Sequence, residues 1–221
     1  TISSEGNAQD FGDLLAATAN AQNLGGFANE TRGVFTGGYN VPGGRENKIQ
    51  YVTIASEGNA QEFGSLTTAM NGPGAGIASP TRGFTFGGST GSNVNTITFI
   101  TTATLGNAQD FGDLLYTGSA FTGASSATRG VAFSGTAADA TINYITMAQD
   151  FGELNTANRY SASSGSSPTR AVVGGGGYPG TTNSIEYIQI PTTGDAVDFG
   201  DLTGARSLLM QGCFSNGHGG L

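Results

Sequence analysis

Acidic and basic side chains recur at fixed places in this chain, and their types and spacing are the first suggestion of chemistry. Nine of the sixteen Asp and Glu residues stand in a repeated motif that reads GNAQDFGDLL in its fullest form. Four of the eight Lys and Arg residues stand in a second motif, Thr-Arg-Gly or Thr-Arg-Ala, at Arg32, Arg82, Arg129 and Arg170. Carboxylates are ligands for Ca²⁺ and arginines bind acidic groups, so both motifs are candidate sites.

A calcium site is the less favoured interpretation of the motif acids. Side chains alternate between the two faces of a strand, so residues three apart point to opposite faces. The two acids of one motif copy, such as Asp10 and Asp13, therefore do not chelate one ion together. We expect no metal site and no cofactor, with calcium as the alternative.

The single histidine and the single cysteine argue against an enzyme. A Ser-His-acid set needs a nucleophile and a carboxylate around its histidine, and a zinc site needs three or four ligands. His218 lies in NGHGG, at the place of the repeated arginine, where it serves as another turn residue. Cys213 lies in the apolar run LLMQGCF, where we expect an inert, buried thiol. We expect no catalytic residues.

The motifs belong to a repeat that runs through the whole chain. The Phe of the first motif falls at 11, 63, 111, 151 and 199, with spacings of 52, 48, 40 and 48 residues. The arginine motif, a Gly-rich stretch such as FTGGY and an alternating run such as KIQYVTIA follow in register. Repeat units of this kind stack, because one unit cannot bury its apolar face alone. The repeated Phe is expected to pack between units.

Each repeat unit is expected to form four short β-strands. The alternating run has a period of two and is rich in β-branched and aromatic residues, as in a half-buried strand. The stretch before the arginine, the Gly-rich stretch and the AQDFGDL segment supply the other three. Glycine is abundant, with 38 of 221 residues, which suits tight turns. No segment has a convincing helical period.

This order of signals resembles the kelch repeat of β-propellers. The double glycine of that repeat corresponds to Gly37-Gly38, Gly87-Gly88 and Gly174-Gly175, and its tyrosine to Tyr51, Phe99, Tyr144 and Tyr187. Phe replaces the expected tryptophan, which this chain lacks altogether. The wording of the repeats also resembles repeat domains of marine phage virion proteins, especially those similar to tail fibres.

The resemblance implies an all-β fold: a single β-propeller domain over residues 1–221, with five blades of four antiparallel strands and velcro closure. The repeat units span about 16–66, 67–114, 115–154 and 155–202, and residues 203–221 with 1–15 form a composite blade. That blade is 17 residues shorter than the first unit requires. This composite blade is trimmed, is filled by a neighbouring chain or lacks a stretch of sequence. The alternative to a five-bladed ring is a four-bladed ring or an open array.

In a meandering blade, the arginine turn and the GNAQD turn lie at the same end of the propeller. The first interpretation of this end is a network of Arg and Asp side chains that fixes the turns. The second is a ring of arginines and amides that binds acidic or hydroxyl-rich sugars by many weak contacts. Its repeated turn residues are Arg32, Arg82, Arg129, Arg170 and His218.

The opposite end carries loops that differ from unit to unit. Variable loops on a constant frame are typical of recognition surfaces, and Tyr and Arg are favoured contact residues. The alternative is that these side chains fill ordinary loops and gaps between blades. The candidate ligand-binding residues are Tyr39, Arg45, Tyr116, Arg159, Tyr160 and Tyr178.

These patterns predict a non-catalytic, lectin-like recognition module that binds a cell-surface glycan or receptor. It would serve host attachment as part of a phage tail fibre or similar appendage, on the virion surface or outside the cell. The alternative is a structural or assembly protein of a virion or extracellular filament, with no small ligand. Other appendage proteins and further copies of the chain are expected partners. The net charge of −8 disfavours a nucleic-acid partner, and no apolar run is long enough for a membrane span.

Overall fold

The fold was analysed in a computed structural model that describes residues 7–15, 21–126, 128–133, 135–136, 140–145, 149–156, 162–177, 180–206 and 213–215. These residues form nineteen β-strands and contain no helix. The prediction of an all-β fold is therefore confirmed. Within the same residues, no helix is long and apolar enough to cross a membrane.

Most strands are short, as the abundance of glycine predicts. In chain order they are β1 (Ala21–Gln22), β2 (Gly25–Ala28), β3 (Arg32–Thr36), β4 (Tyr39–Asn40), β5 (Gly44–Thr53), β6 (Gln61–Met70), β7 (Gly74–Ala78), β8 (Arg82–Phe86), β9 (Val94–Thr101), β10 (Gln109–Gly118), β11 (Thr122–Ser125), β12 (Gly130–Phe133), β13 (Thr141–Ile145), β14 (Gln149–Glu153), β15 (Ser163–Ser166), β16 (Arg170–Gly174), β17 (Thr182–Gln189), β18 (Val197–Arg206) and β19 (Cys213–Ser215).

Sixteen of these strands form four antiparallel units of four strands each. Unit 1 contains β2, β3, β5 and β6, and units 2, 3 and 4 contain β7–β10, β11–β14 and β15–β18. The predicted four strands per repeat are thus confirmed. The fourth strands β6, β10 and β18 continue four residues beyond the boundaries expected at 66, 114 and 202, because the segment after each Asp-Leu or Ser-Leu pair stays paired.

The repeated Phe occupies the same irregularity in every unit. In unit 1, Ile49 pairs with Gly64 and Gln50 with Glu62, so Phe63 is the extra residue of a β-bulge. The pairing skips Phe111, Phe151 and Phe199 in the same way. A bulge turns the local side chain out of the regular alternation, which explains why an aromatic can recur at this point without a matching partner across the ladder.

The first strands of the units lie against one another. Strand β11 pairs in parallel with β7, and β19 pairs in parallel with β15. Strand β2 lies against β7, β11 lies against β15, and β19 also contacts β7 and β11. Hydroxyl groups cross between them: the Oγ atoms of Thr122 and Ser164 are 2.6 Å apart. Small side chains in these strands permit this close approach.

The apolar core lies partly between units, but not every repeated Phe is in it. Phe63 and Phe151 are buried, with exposed fractions of 3% and 2%, and each belongs to a cluster that includes residues of the next unit. Phe111 is half-buried. Phe11 and Phe199 are 40% and 58% exposed, so for these two the expected packing is wrong in the described residues. No described third-strand aromatic lies beside Phe11, and no described segment of a further unit covers Phe199.

Candidate functional surfaces at the two ends of the units

The four motif arginines stack on aromatic rings of the third strand. In units 1, 2 and 4, the arginine pairs with a residue of the third strand that is two positions from the aromatic, so both side chains lie diagonally on one face. A guanidinium over a ring makes a cation–π contact. The distances from the guanidinium carbon to the ring centre are 4.7 Å for Arg32–Tyr51, 4.7 Å for Arg82–Phe99, 5.2 Å for Arg129–Tyr144 and 5.1 Å for Arg170–Tyr187.

The same aromatics contact the Phe of the bulge, so each unit contains a stack of arginine, ring and ring. The Tyr51 and Phe63 rings are nearly perpendicular, with centres 5.9 Å apart. Edge contacts of this kind add to the free energy of burial. The other three pairs are Phe99–Phe111 at 6.0 Å, Tyr144–Phe151 at 6.2 Å and Tyr187–Phe199 at 6.0 Å.

Two of the arginines also reach the following unit. The Nη1 atom of Arg129 donates to the carbonyl oxygens of Ile190, at 3.0 Å, and Pro191, at 2.6 Å. The Nη1 atom of Arg32 donates to the carbonyl oxygen of Thr102 in the same manner. The structure therefore gives these guanidinium groups rings and backbone carbonyls as partners, instead of the motif carboxylates of the expected Arg–Asp network.

The GNAQDFGDLL motif forms a clip between consecutive units. The Gly-Asn-Ala part of one copy lies on the Phe-Gly pair of the preceding copy and the residue that follows that pair. At the junction of units 1 and 2, Gly106 N donates to Phe63 O at 2.9 Å and Ala108 N to Ser65 O at 2.9 Å. The side-chain oxygen of Asn107 accepts the amide of Ser65 at 3.0 Å. We call this three-bond contact the clip.

The clip recurs at two other junctions. Between the 7–15 segment and unit 1, Gly58 and Ala60 donate to Phe11 and Asp13 at 2.8 Å each, and Asn59 accepts the Asp13 amide at 2.9 Å. Between units 3 and 4, the corresponding bonds link Gly194, Asp195 and Ala196 to Phe151 and Glu153. The junction of units 2 and 3 falls on residues 146–148, which lie outside the described residues. At the other three junctions the repeated sequence has a structural cause, because one copy must fit the next.

The glycine that follows the repeated Phe is required by this contact. A Cβ added to Gly64 would overlap with the backbone of Gly106, and one added to Gly152 would overlap with that of Gly194. This overlap cannot be relieved by a small side-chain movement, because the atoms that occupy the space belong to the backbone. A glycine at this place therefore lets the next unit approach.

The acids of the motif also have local roles. Oδ1 of Asp10 accepts the amide of Gly12 at 3.0 Å, and Oδ1 of Asp198 accepts the amide of Gly200 at 3.1 Å. Across the part of the chain that the structure describes, no three His, Cys, Asp or Glu side chains are grouped so that they could hold a metal ion.

A second link between units was not foreseen from the sequence. The residue before the third-strand aromatic is a buried polar one in every unit, and in units 1, 3 and 4 its side chain accepts a backbone amide of the preceding segment. In unit 2 this residue is Thr98, whose hydroxyl donates to Thr85 O of the same unit. Gln50 accepts from Leu15 at 2.9 Å, Asn143 accepts from Leu115 at 3.1 Å, and Glu186 accepts from Asn155 at 2.9 Å. A polar residue in the middle of each alternating run was the available signal.

Glu186 borders a surface depression with a volume of about 530 Å³. Its carboxylate is buried and also accepts bonds from Thr156 N at 3.2 Å and Ser184 Oγ at 3.3 Å. These bonds explain the carboxylate as a link between units 3 and 4, in the role that Gln50 has in unit 1. The depression therefore needs no catalytic interpretation.

At the variable end, the structure brings Tyr39 and Arg45 together. They are register partners across the β4–β5 hairpin. Tyr39 is half-buried and Arg45 is exposed. Nε of Arg45 donates to the carbonyl oxygen of Ser89 in unit 2 at 3.0 Å, which orients the guanidinium across the boundary between units 1 and 2. Arg45 is thus held in place at the surface by a single backbone contact.

Tyr116 does not join this pair. Its hydroxyl donates to Thr141 O at 3.2 Å, and its ring lies 5.6 Å from that of Phe121. These contacts support the alternative role, in which Tyr116 fills the gap between units 2 and 3. Arg159, Tyr160, Tyr178 and His218 lie outside the described residues.

No known protein family matches this chain, and no curated protein matches it. The contacts of the described residues are therefore the basis for assigning a function.

Proposed function

We propose that the chain is a non-catalytic recognition module, built as a five-bladed β-propeller whose two ends share one blade. The four units of four strands supply four blades. Strand β19 lies beside β15 as the first strand of a fifth unit, and residues 7–15 carry a fifth copy of the motif that clips to unit 1. Together these segments support a composite fifth blade.

The observation that supports recognition at the variable end is the exposed Arg45, oriented by Ser89 and paired with Tyr39. The repeated arginines are engaged with rings in their own units, and two of them with carbonyls of the next unit. Nε of Arg45 is bonded to the Ser89 carbonyl, and the planar guanidinium carries four further N–H donors on its two Nη atoms. A planar fork of this kind is suited to a carboxylate.

The ligand that fits this pair best is a cell-surface glycan with acidic or hydroxyl-rich sugars. The guanidinium recognises a carboxylate in two-bond geometry, and a tyrosine ring offers an apolar face with a polar tip. The region between the first strands is a poorer candidate, since β7 pairs directly with β11 and β15 with β19. Because the repeat sequences resemble those of marine phage virion proteins, we propose that the module belongs to a phage tail fibre or similar appendage. It would then lie on the virion surface or outside the cell.

A glycan array probed with the purified chain tests this proposal. Repeated hits on related saccharides support it, and binding to those hits should fall at least about tenfold in Arg45→Ala, the factor for losing one charged hydrogen-bonded contact. Arg206→Ala is the matched control, because Arg206 is also an exposed arginine, at the end of β18. Loss of binding in Arg82→Ala with Arg45→Ala unaffected would place the site at the opposite end.

The structural or assembly role remains the second candidate, because Phe199 and Val197 form an exposed apolar edge on unit 4. An array without hits, combined with ordered self-assembly of the chain in solution, would favour that role over recognition.

A further inference from the structure

The clip surface of unit 4 has no described segment on it. Phe-Gly-Asp at 11–13, Phe-Gly-Ser at 63–65 and Phe-Gly-Glu at 151–153 each carry the Gly-Asn-Ala or Gly-Asp-Ala segment of the next copy. The copy at 111–113 precedes residues 146–148, which lie outside the described residues. Phe199-Gly200-Asp201 repeats the sequence of 11–13, and Phe199 occupies the same bulge as Phe63 and Phe151. No described residue lies within 4 Å of the position that a Cβ on Gly200 would take, and Phe199 and Val197 are 58% and 51% exposed.

The complementary half is uncovered as well. The chain contains Gly-Asn-Ala at 6–8, 58–60 and 106–108 and its variant Gly-Asp-Ala at 194–196. The last three are docked on a preceding copy. Of the first, Gly6 lies outside the described residues, and Asn7 and Ala8 are exposed, whereas Ala60, Ala108 and Ala196 are buried.

The contacts of β19 bear on whether the units extend in a line or turn back. Strand β19, which follows unit 4, contacts β7 of unit 2 and β11 of unit 3 in addition to its neighbour β15. In an extended array, a strand after unit 4 would lie far from unit 2. The first strands therefore turn around a common centre, which favours closure within one chain. A tethered segment also has a high effective concentration at its site.

We propose that Asn7 and Ala8 dock on Phe199-Gly200-Asp201 of the same chain and close the ring by a fourth clip. This proposal deepens the five-bladed architecture proposed above. By analogy with the other junctions, Ala8 N donates to Asp201 O, and the Asn7 side chain accepts the amide of Asp201. Docking would cover Phe199 as it covers Phe63 and Phe151.

Hydrogen exchange measured by mass spectrometry tests the closing clip on the intact chain. The amides of Ala8 and Asp201 should exchange about tenfold more slowly than in an exposed loop, as a hydrogen bond of ordinary strength implies. This protection should be equal at low and high protein concentration. Protection that appears only at high concentration would assign the site to a second copy and overturn the proposal, and so would no protection at either concentration.

A pair of variants at Asn7 separates the clip from general stability. Asn7→Ala removes the acceptor and should accelerate exchange at Asp201 several-fold, whereas Asn7→Asp keeps an acceptor and should preserve protection, since Asp195 makes this bond at the junction of units 3 and 4. Because Asn7 is exposed, neither change should unfold units 1–4. Arg45→Ala should leave this protection unchanged, so failure of the clip and failure of glycan binding are distinguishable. Equal exchange in both Asn7 variants would contradict the clip.

Discussion

The ring of Phe27 in unit 1 covers the backbone of Gly83 in unit 2, so that a Cβ on Gly83 would overlap with the ring. At the next junction, Ile77 covers Gly130 in the same way. At the third junction, the corresponding residues are Ala124 and Ala171, which belong to one buried cluster. A large side chain faces glycine and a small one faces alanine, so these positions are matched in volume, as close packing requires.

Gly83→Ala is expected to destabilise the fold by about 1–3 kcal/mol, because the buried Phe27 ring must move to admit the new methyl group. The free energy of unfolding in urea measures this. Gly204→Ala in β18 is the matched control, since nothing lies within 4 Å of its Cβ position, and it should change stability by no more than about 0.5 kcal/mol. Equal effects of the two variants would show that the contact is unimportant.

The contact between Phe27 and Gly83 should also appear as a coupling. Phe27→Ala alone leaves a cavity and should cost about 3–5 kcal/mol. In that background, Gly83→Ala should cost less than in the parent, because the obstructing ring is gone. A double-mutant cycle gives the coupling energy, expected at about 0.5–3 kcal/mol, and strict additivity would contradict the packing described here.

Phe63→Ala is expected to destabilise the fold by about 3–5 kcal/mol, as truncations of core Phe do. Phe63 is 3% exposed and contacts Tyr51. Phe111→Ala should cost less, because Phe111 is half-buried. Urea unfolding of both variants measures the difference. A Phe63→Ala chain as stable as the parent would show that Phe63 does not contribute to the stability of the core.

The strands could be predicted from the sequence because their signals are local. The alternation in KIQYVTIA and the double glycine at the second strand of units 1, 2 and 4 each depend on a few neighbouring residues. The sequence also indicated that the arginine turn lies near the end of the third strand. The structure places them together through bonds such as Ile54 N to Thr31 O at 2.9 Å.

The partners of the arginines could not be predicted with the same ease. Arg129 reaches Pro191, 62 residues away, and the sequence alone does not say which carbonyls of the following unit lie within reach. The stack of Arg32 on Tyr51 was in principle accessible, since antiparallel pairing of the second and third strands places them diagonally. The attraction between opposite charges suggested that the arginines contact carboxylates. The register of the strands instead places aromatic rings beside the guanidinium groups.

The side chain that completes the clip can be tested at the junction of units 1 and 2. Asn107→Ala removes the acceptor for Ser65 N and should destabilise the fold by about 0.5–1.5 kcal/mol, the net value of one hydrogen bond. Asn107→Asp should retain most of the stability, because Asp195 accepts the amide of Glu153 in the same position. Urea unfolding compares the two, and an equal loss in both variants would show that the acceptor is not what matters.

The last prediction concerns the response of the arginine stacks to salt. Arg129 lies over Tyr144 and donates to two carbonyl oxygens, so its main partners carry no net charge. Arg129→Ala and Arg129→Lys should both destabilise the fold, by about 1–3 kcal/mol for the alanine variant, because lysine keeps the charge and loses the planar fork. The difference between parent and variant should be nearly the same in low and high salt, whereas a surface network of Arg and Asp would weaken as salt screens it. Urea unfolding at two ionic strengths distinguishes the two, and a loss that disappears in high salt would restore the carboxylates as the partners of this arginine.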